Sequence, residues 1–259
     1  MESKHIEDVE ITSYMVDYKK QLRPSNFFAL AQEVAMKGAT NYGFGYENLA
    51  EHDLAWVVSR TKIVFNKIPH WKEHFDFLTW HKGIIGPFFI RDYQLVAPDG
   101  EVYVNGTSSW ITINTKTRSL FRTDGLSQYF DVTPQCLDNA LEEQAGRIVM
   151  PKEAELIASH KVMYSDVDFV GHANNTSYVS WATDCLPVEL LKESYPRVVE
   201  IVFNKETHGG EVVDIYRKVV GSENGTTVYF EGRTGDVTHF TARFTFSHYS
   251  TRDSEMLII

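Results

Sequence analysis

The chain has 259 residues, of which 43% are hydrophobic and 13% aromatic, so it can bury one large core or two cores of ordinary size. A formal net charge of −10, with no basic run longer than two lysines, argues against a nucleic-acid partner. No segment approaches the ~20 apolar residues of a membrane span, the acidic N-terminus predicts no signal or transit peptide, and two cysteines without a CxxC pair fit a reducing cytoplasm.

The first 125 residues predict a strand, one long helix and several further strands. The N-terminus alternates like a strand, and the segment after Asp17 places apolar residues on one helical face. That face consists of Phe27, Leu30, Ala31, Val34 and Gly38. Strand patterns follow at 54–71 and 100–114. We therefore expect an N-terminal domain over residues 1–125.

Residues 126–157 are expected to form a linker. They carry a charged stretch around Glu142 and Glu143 and no sustained strand alternation. A C-terminal domain over 158–259 is expected to follow.

The second domain repeats the order of the first. A helical face of Tyr178, Trp181, Ala182 and Cys185 comes after an Asp-rich segment. The last strand alternates Phe240, Ala242, Phe244 and Phe246 with polar residues, which is the period of a half-buried strand. The same order of strand, helix and strands is thus predicted in both halves.

Direct sequence similarity supports an internal duplication. Residues 62–76 and 200–214 share Ile-Val-Phe-Asn-Lys, a His, a Glu and an Asp at a constant offset of 138. Residues 17–26 also align with 166–175, and 100–114 with 235–248. An α+β fold of two tandem hot-dog domains follows, each a long helix wrapped by a curved antiparallel sheet, together forming a pseudo-dimer. The alternative is a single sheet protein with fortuitous similarity.

The segment at 164–181 is the candidate site. Asn174 or Asn175 is placed to cap the helix, so the helix should begin just after His172. Free amides at a helix start favour developing negative charge, as on a carbonyl under attack. Asp168, four residues before His172, is expected to orient its imidazole. Asp166 is interpreted as a strand-end acid outside the site.

Other chemistries lack their motifs. The sequence contains no GxSxG nucleophile elbow, no GxxxxGK[ST] phosphate loop and no HExxH zinc helix. His70 and His74 have helical metal spacing but adjoin Pro69, which favours a surface loop. No metal and no cofactor are expected.

The combined motifs resemble the acyl-acyl carrier protein (acyl-ACP) thioesterases of bacteria and plants, which are double hot-dog proteins. Residues 54–71 and 108–120 are similar to first-domain strands of that family. Residues 165–181 are similar to its segment of Asp, then Asn two residues on, then His, then Val-Asn-Asn. The resemblance implies hydrolysis of acyl-ACP to a free fatty acid.

The resemblance also implies site residues. Asp168 and His172 take the positions of the catalytic aspartate and histidine, and Glu206 takes that of a later acid. The chain departs from the family at Val170, where an Asn is common, and at Thr207, where plant members have Cys. In the first copy Lys19, Arg23 and Ile68 stand opposite Asp168, His172 and Glu206, which predicts one active copy.

Two hydrolytic mechanisms stay open. In the first, Glu206 is the general base on water, the helix start near Ala173 and Asn174 polarises the carbonyl, and His172 protonates the thiolate. In the second, Asp168 attacks directly and forms an anhydride.

The first domain is expected to supply the acyl pocket, with Trp56, Phe88 and Phe89 as candidate walls, although an ordinary core role is the simpler interpretation of each. The predicted substrate-binding residues are thus Trp56 in the first domain and, at the helix start of the second, Val170, Ala173 and Asn174.

The implied partner is acyl carrier protein bearing an acyl-phosphopantetheine. This acidic carrier would dock on a local basic patch. Two sets of residues could form one: Lys116, Arg118 and Arg122, or Lys19, Lys20 and Arg23. A membrane partner is not expected, and a homodimer is weakly favoured. The alternatives are an acyl-CoA thioesterase of the same fold and a non-catalytic protein that binds acyl thioesters.

Overall fold

The computed structural model describes residues 4–222 and 225–248, which divide into two compact units. Of the described residues, unit 1 contains 4–14 and 29–145, and unit 2 contains 15–28, 146–222 and 225–248. No helix among the described residues combines the length and apolar character that crossing a membrane requires.

Unit 1 is built on an antiparallel sheet with the strand order β1-β3-β4-β5-β2. The strands are β1 His5–Glu10, β2 Leu54–Phe65, β3 His74–Ile85, β4 Phe88–Val96 and β5 Val102–Asn114, and the short β6 Leu120–Phe121 pairs with β5. Consecutive strands pair as hairpins from β3 to β5, and the other edge of β5 pairs with the earlier strand β2.

The long helix α1 spans Pro24–Asn41 and is followed by the short α2, Tyr46–Ala50. The predicted apolar face is buried at Phe27, Ala31, Val34 and Gly38, and Leu30 is half-buried. A Cβ at Gly38 would lie 3.3 Å from His5, Thr79 and Arg91 atoms on β1, β3 and β4. The helix therefore lies across the sheet, and the missing side chain allows this close approach.

Unit 1 also buries a histidine. His81 is fully buried on β3 and stacks on Phe89, with ring centroids 3.4 Å apart. Nδ1 lies 3.2 Å from both the Gly83 nitrogen and the Ile90 carbonyl oxygen, and Nε2 lies 3.1 Å from the Val132 carbonyl oxygen. Burial lowers the pKa of His81 to about 4.

Unit 2 has the same topology, with the strand order β7-β9-β10-β11-β8. Its strands are β7 Glu155–Lys161, β8 Ser194–Phe203, β9 Val212–Ser222, β10 Gly225–Thr234 and β11 Val237–His248. Its helices are α3 Asn175–Asp184 and α4 Val188–Glu193. The predicted faces of α3 and β11 are buried, and the Tyr178 ring packs against Phe203 and Phe240. The α+β fold of two helix-and-sheet repeats is thus confirmed, whereas their association as a pseudo-dimer stays a prediction.

Backbone hydrogen bonds give the alignment of the two copies. Before the helices, corresponding residues of the two copies differ by 151 in number. Ile11 donates its N–H to the Glu73 carbonyl, and Val162 donates in the same way to the Glu211 carbonyl. After the helices the offset is 138, as the sequence indicates. The difference arises in part because α1 has 18 residues and α3 has 10.

The compact units differ from the expected domain boundaries. Residues 126–145 of the expected linker belong to unit 1. Within that segment the Ala140 N–H donates to the Asp92 carboxylate, and the Asp138 carbonyl accepts the Trp80 indole N–H. Residues 15–28 count with unit 2, since the Tyr195 hydroxyl donates to the Leu22 carbonyl. Strand alternation cannot reveal these contacts, because they hold irregular backbone.

Candidate active site

Six of the seven predicted site residues lie in unit 2. Asp168, Val170, His172, Ala173 and Asn174 form the loop between β7 and α3, and Glu206 follows β8. Trp56 lies in unit 1, where its indole N–H donates to the Phe44 carbonyl at 3.0 Å and its ring packs 4.7 Å from Phe89. Phe89 is buried in the core of unit 1, as the simpler interpretation of that residue has it.

The site loop is a tight turn closed by the Asp168 carboxylate. Its Oδ1 accepts the N–H groups of Val170 at 3.0 Å and His172 at 3.4 Å. The Asp168 N–H donates to the His172 carbonyl, and Gly171 supplies the positive φ of 88° that the turn requires. Asp168 thereby fixes the backbone that carries His172.

The imidazole of His172 pairs with Glu206. The Ala173 N–H donates to the Thr207 carbonyl at 2.9 Å, which holds the loop beside the segment after β8. Nδ1 of His172 then lies 3.5 Å from Oε2 of Glu206. The two side chains are 25% and 33% exposed, so a substrate and water can reach them.

This geometry corrects the expected role of Asp168. Its carboxylate holds backbone amides, and within the described part of the chain Glu206 is the acid whose carboxylate lies beside the His172 ring. The sequence distance of four residues suggested a side-chain contact, but the turn directs the carboxylate to the backbone instead.

The helix start is capped as predicted. Asn174 is the N-cap, and its side chain accepts the Thr176 N–H at 2.9 Å. The amides expected to polarise a carbonyl are engaged, however, because Ala173 donates to Thr207 and Asn174 donates to Asp166. Among the described residues no acceptor is found for the Asn175 N–H. Asn175 therefore provides the available amide at this helix start.

Asp166, which the sequence placed outside the site, supports the loop from behind. Its carboxylate accepts hydrogen bonds from the Trp181 indole and the Met163 N–H and pairs with Nε2 of His160 at 2.9 Å. Burial alone would raise the pKa of Asp166, but these hydrogen bonds outweigh it and hold that pKa below its ordinary value. The network anchors the loop to α3 through Trp181.

Tyr178 and Thr207 form a second support that sequence reasoning missed. The Thr207 N–H donates to the Tyr178 hydroxyl at 3.1 Å, and that hydroxyl forms a second hydrogen bond with Oγ1 of Thr207 at 2.8 Å. Both residues are buried, and burial raises the pKa of Tyr178. The pair connects α3 to the residue that follows Glu206, so it fixes the distance between the two halves of the site.

His208 was also missed as a neighbour of the site. It forms an isolated antiparallel bridge with His172, and the two rings lie perpendicular with centroids 4.9 Å apart. The signal in the sequence was the histidine shared by the two copies at an offset of 138. Only the fold shows that it lies beside His172.

The first copy lacks the acid–imidazole pair, but its counterparts differ from those expected. Asp17 makes the turn that Asp168 makes, since its Oδ1 accepts the N–H groups of Lys19 at 2.8 Å and Gln21 at 3.0 Å. Gln21 therefore corresponds to His172, and the aspartate is retained. Ile68 corresponds to Glu206, as predicted. The alignment that paired Lys19 with Asp168 was wrong by two residues.

Comparisons with known proteins match both halves of the chain to one family. The family model for the acyl-ACP thioesterase N-terminal domain matches residues 2–125, and the C-terminal domain model matches residues 149–248. The oleoyl-acyl carrier protein thioesterase 1 of Arabidopsis thaliana, a chloroplastic protein, is 27% identical over 83% of this chain. The chain spans 64% of the length of that relative.

Solved structures share the fold. An acyl-ACP thioesterase from Bacteroides thetaiotaomicron is 24% identical, with a TM-score of 0.85 over 94% of this chain and 98% of that one. A 12:0-ACP thioesterase from Umbellularia californica is 20% identical, with a TM-score of 0.80 over 95% of this chain and 94% of that one.

Proposed function

Since the chain belongs to the acyl-ACP thioesterase family, we propose that it hydrolyses the thioester of a medium or long acyl chain held by acyl carrier protein, releasing the fatty acid and ending its synthesis. The observation that carries the proposal is the contact between His172 and Glu206 beside the start of α3. An acid, an imidazole and an amide donor are the groups that thioester hydrolysis needs.

The proton transfers follow from the pair. Glu206 takes a proton from water as the water oxygen bonds to the carbonyl carbon. The carbon–sulfur bond then breaks, and the leaving sulfur takes a proton from the His172 imidazolium. The proton held by Glu206 returns to His172 across their 3.5 Å contact, which resets the site.

Asn175 is the proposed donor to the carbonyl oxygen. Its backbone N–H lies at the positive end of the α3 dipole, and it is the amide there that the fold leaves available. Ala173 and Asn174 are reassigned as structural residues of the loop. Val170, 51% exposed on the same loop, is the residue that we propose contacts the pantetheine arm.

Of the two basic patches, the one in unit 1 is the better candidate for docking the acidic carrier. Lys116 and Arg122 are exposed, each with an acidic neighbour: Lys116 lies 2.7 Å from Asp53, and Arg122 lies 2.6 Å from Asp124. Lys19 of the other patch is half-buried and donates its amine to the Leu191 and Ser194 carbonyls. We therefore propose Lys116, Arg118 and Arg122 as the docking residues.

Other expectations remain predictions. Trp56 is half-buried and packs beside the apolar core cluster of unit 1 formed by Phe44, Leu49, Leu54 and Phe89. We propose the accessible part of Trp56 as a wall of the acyl-binding surface, whereas the cluster itself is core. The cytoplasmic location and the homodimer likewise stay predictions.

The test is the release of thiol and fatty acid from matched acyl-ACP and acyl-CoA substrates. Glu206→Gln and His172→Gln should each lower kcat by at least about a hundredfold, near 2.7 kcal/mol, because each removes a proton-transfer group. Glu211→Gln, an acid outside the pair, is the control and should retain activity. Preference for acyl-CoA would select the acyl-CoA thioesterase instead, and saturable binding without turnover would select the non-catalytic protein.

A further inference from the structure

His172, Glu206 and His208 form a cluster whose composition matters beyond hydrolysis. Each offers one ligand atom, and these atoms all lie within 4.8 Å of one another. Two imidazoles and one carboxylate are a ligand set that binds zinc in hydrolytic enzymes and leaves further positions open. We propose that these residues bind a divalent transition-metal ion of the Zn²⁺ class, and that the bound ion inhibits hydrolysis.

The backbone brings the three ligands together independently of any metal. His172 and His208 face each other across an isolated bridge, and the Ala173 N–H bond to the Thr207 carbonyl holds the two segments in register. The cluster is therefore assembled by the fold rather than by a mobile loop. A site whose ligands are already close loses less conformational freedom on binding.

The distances are close to those of a metal site. Ligand atoms about 2.0 Å from a tetrahedral zinc lie roughly 3.3 Å apart. Nδ1 of His172 and Oε2 of Glu206 are already 3.5 Å apart. The remaining adjustment falls on His208, whose side chain is 53% exposed and can change rotamer at the surface.

An acid beside His208 can support a metal-bound ring. Oε1 of Glu211 lies 3.9 Å from Nδ1 of His208, and Oε2 of Glu211 accepts the His208 N–H at 2.9 Å. Carboxylates in this position commonly accept the proton of a ligating imidazole and orient it. The same backbone bond occurs between His70 and Glu73 in the first copy, so the turn itself is structural.

The first copy shows what the site depends on. At the counterpart positions it has Gln21, Ile68 and His70, so only one imidazole is retained. A ligand set with two imidazoles and a carboxylate therefore belongs to the second copy. His70→Gln is accordingly a matched control, because it removes an equivalent histidine that has no partner ligands.

Metal binding and hydrolysis would compete for the same groups. A Zn²⁺ ion on Glu206 occupies the proposed base, and on His172 it displaces the proton that the leaving sulfur needs. The inhibition rests on the proposed function, whereas the binding does not. Calorimetry on the metal-free protein therefore tests the site even if no thioester is hydrolysed.

The experiment titrates Zn²⁺ into protein that has been treated with a chelator, with Co²⁺ absorption as an independent readout of coordination. One saturable ion per chain and inhibition reversed by chelator are expected. His208→Gln should weaken binding and inhibition at least about tenfold, while metal-free hydrolysis persists. His70→Gln should bind like the wild type.

Three results would overturn the proposal: no saturable binding, equal affinity in the wild type and His208→Gln, or stimulation of hydrolysis by the metal. Because the His208 side chain is half exposed and its backbone bond to Glu211 survives substitution, the variant is expected to fold. The cobalt spectrum of Glu206→Gln gives a second check and should lose the same band.

Discussion

Asp17 and Asp168 make the same turn in the two copies of the repeat. In each, one carboxylate oxygen accepts the N–H groups of the second and fourth residues that follow. The first copy keeps this turn although Gln21 and Ile68 replace the histidine and the acid of the second. The turn therefore exists without the chemistry, which supports Asp168 as a positioning residue rather than a nucleophile.

Asp168→Asn should retain kcat/KM within about tenfold, because the amide oxygen can still accept both N–H groups. Asp168→Ala should lose more, since it leaves those amides without their acceptor. Steady-state hydrolysis of acyl-ACP by the two variants measures the difference. If the Asn variant is as inactive as the Ala variant, or if solvent oxygen-18 enters the Asp168 carboxylate in a single turnover, the anhydride mechanism is favoured instead.

Asp17 supplies the matched control for this turn. Asp17→Ala should lower the free energy of unfolding by about 1 kcal/mol through the same two lost hydrogen bonds. It should leave kcat unchanged, because no proton-transfer group follows it in the first copy. Denaturant unfolding with parallel kinetics separates the two effects.

Thr207→Val should lower kcat and the free energy of unfolding together. The substitution leaves the buried Tyr178 hydroxyl without its hydroxyl partner, at a cost of about 1–3 kcal/mol, and loosens the residue next to Glu206. A double-mutant cycle with Tyr178→Phe should show strong non-additivity, and Thr207→Ser should restore most of the loss. Additive effects would mean that the two residues act separately.

Val170→Asn should raise kcat/KM on acyl-ACP with little effect on stability. The Val170 side chain is 51% exposed, so an amide there carries no burial cost and adds a donor two residues before His172. Phe169→Asn, on the adjacent and 72% exposed residue, controls for general polarity of the loop. Unchanged or lower kcat/KM in Val170→Asn would indicate that the valine is suited to the natural substrate.

Much of the fold could be predicted because local patterns and the duplication agree. The helical face through Tyr178 and Trp181 and the alternation from Phe240 to Phe246 reflect burial directly. The repeated Ile-Val-Phe-Asn-Lys segment gave the correct offset of 138 because it lies in and after a paired strand. The offset before the helices was wrong by two residues, since the second copy has aspartates at both 166 and 168 and only the turn hydrogen bonds distinguish them.

The site was harder to predict because its contacts join distant segments. Glu206 came from family resemblance, and nothing in its spacing from His172 indicates a distance of 3.5 Å. The sequence assigned the amides of Ala173 and Asn174 to the substrate carbonyl. In the structure these amides donate to the Thr207 and Asp166 carbonyls instead, and only the tertiary fold reveals those acceptors. His208 was visible as a repeated histidine, but its neighbours were not.

His81 is predicted to make the protein less stable in acid. Its pKa is about 4 in the folded chain and near 6.5 when exposed, so between these values the unfolded chain binds a proton that the native state does not. The free energy of unfolding should therefore fall as the pH drops from 6.5 to 4, by roughly 3 kcal/mol from this residue.

Urea unfolding of wild type and His81→Phe across this pH range measures the contribution as the difference in slope of unfolding free energy against pH, whatever the absolute stability of the variant. His74→Phe, which removes an exposed histidine on the same strand, should keep the wild-type slope. Equal slopes for His81→Phe and the wild type would contradict the prediction.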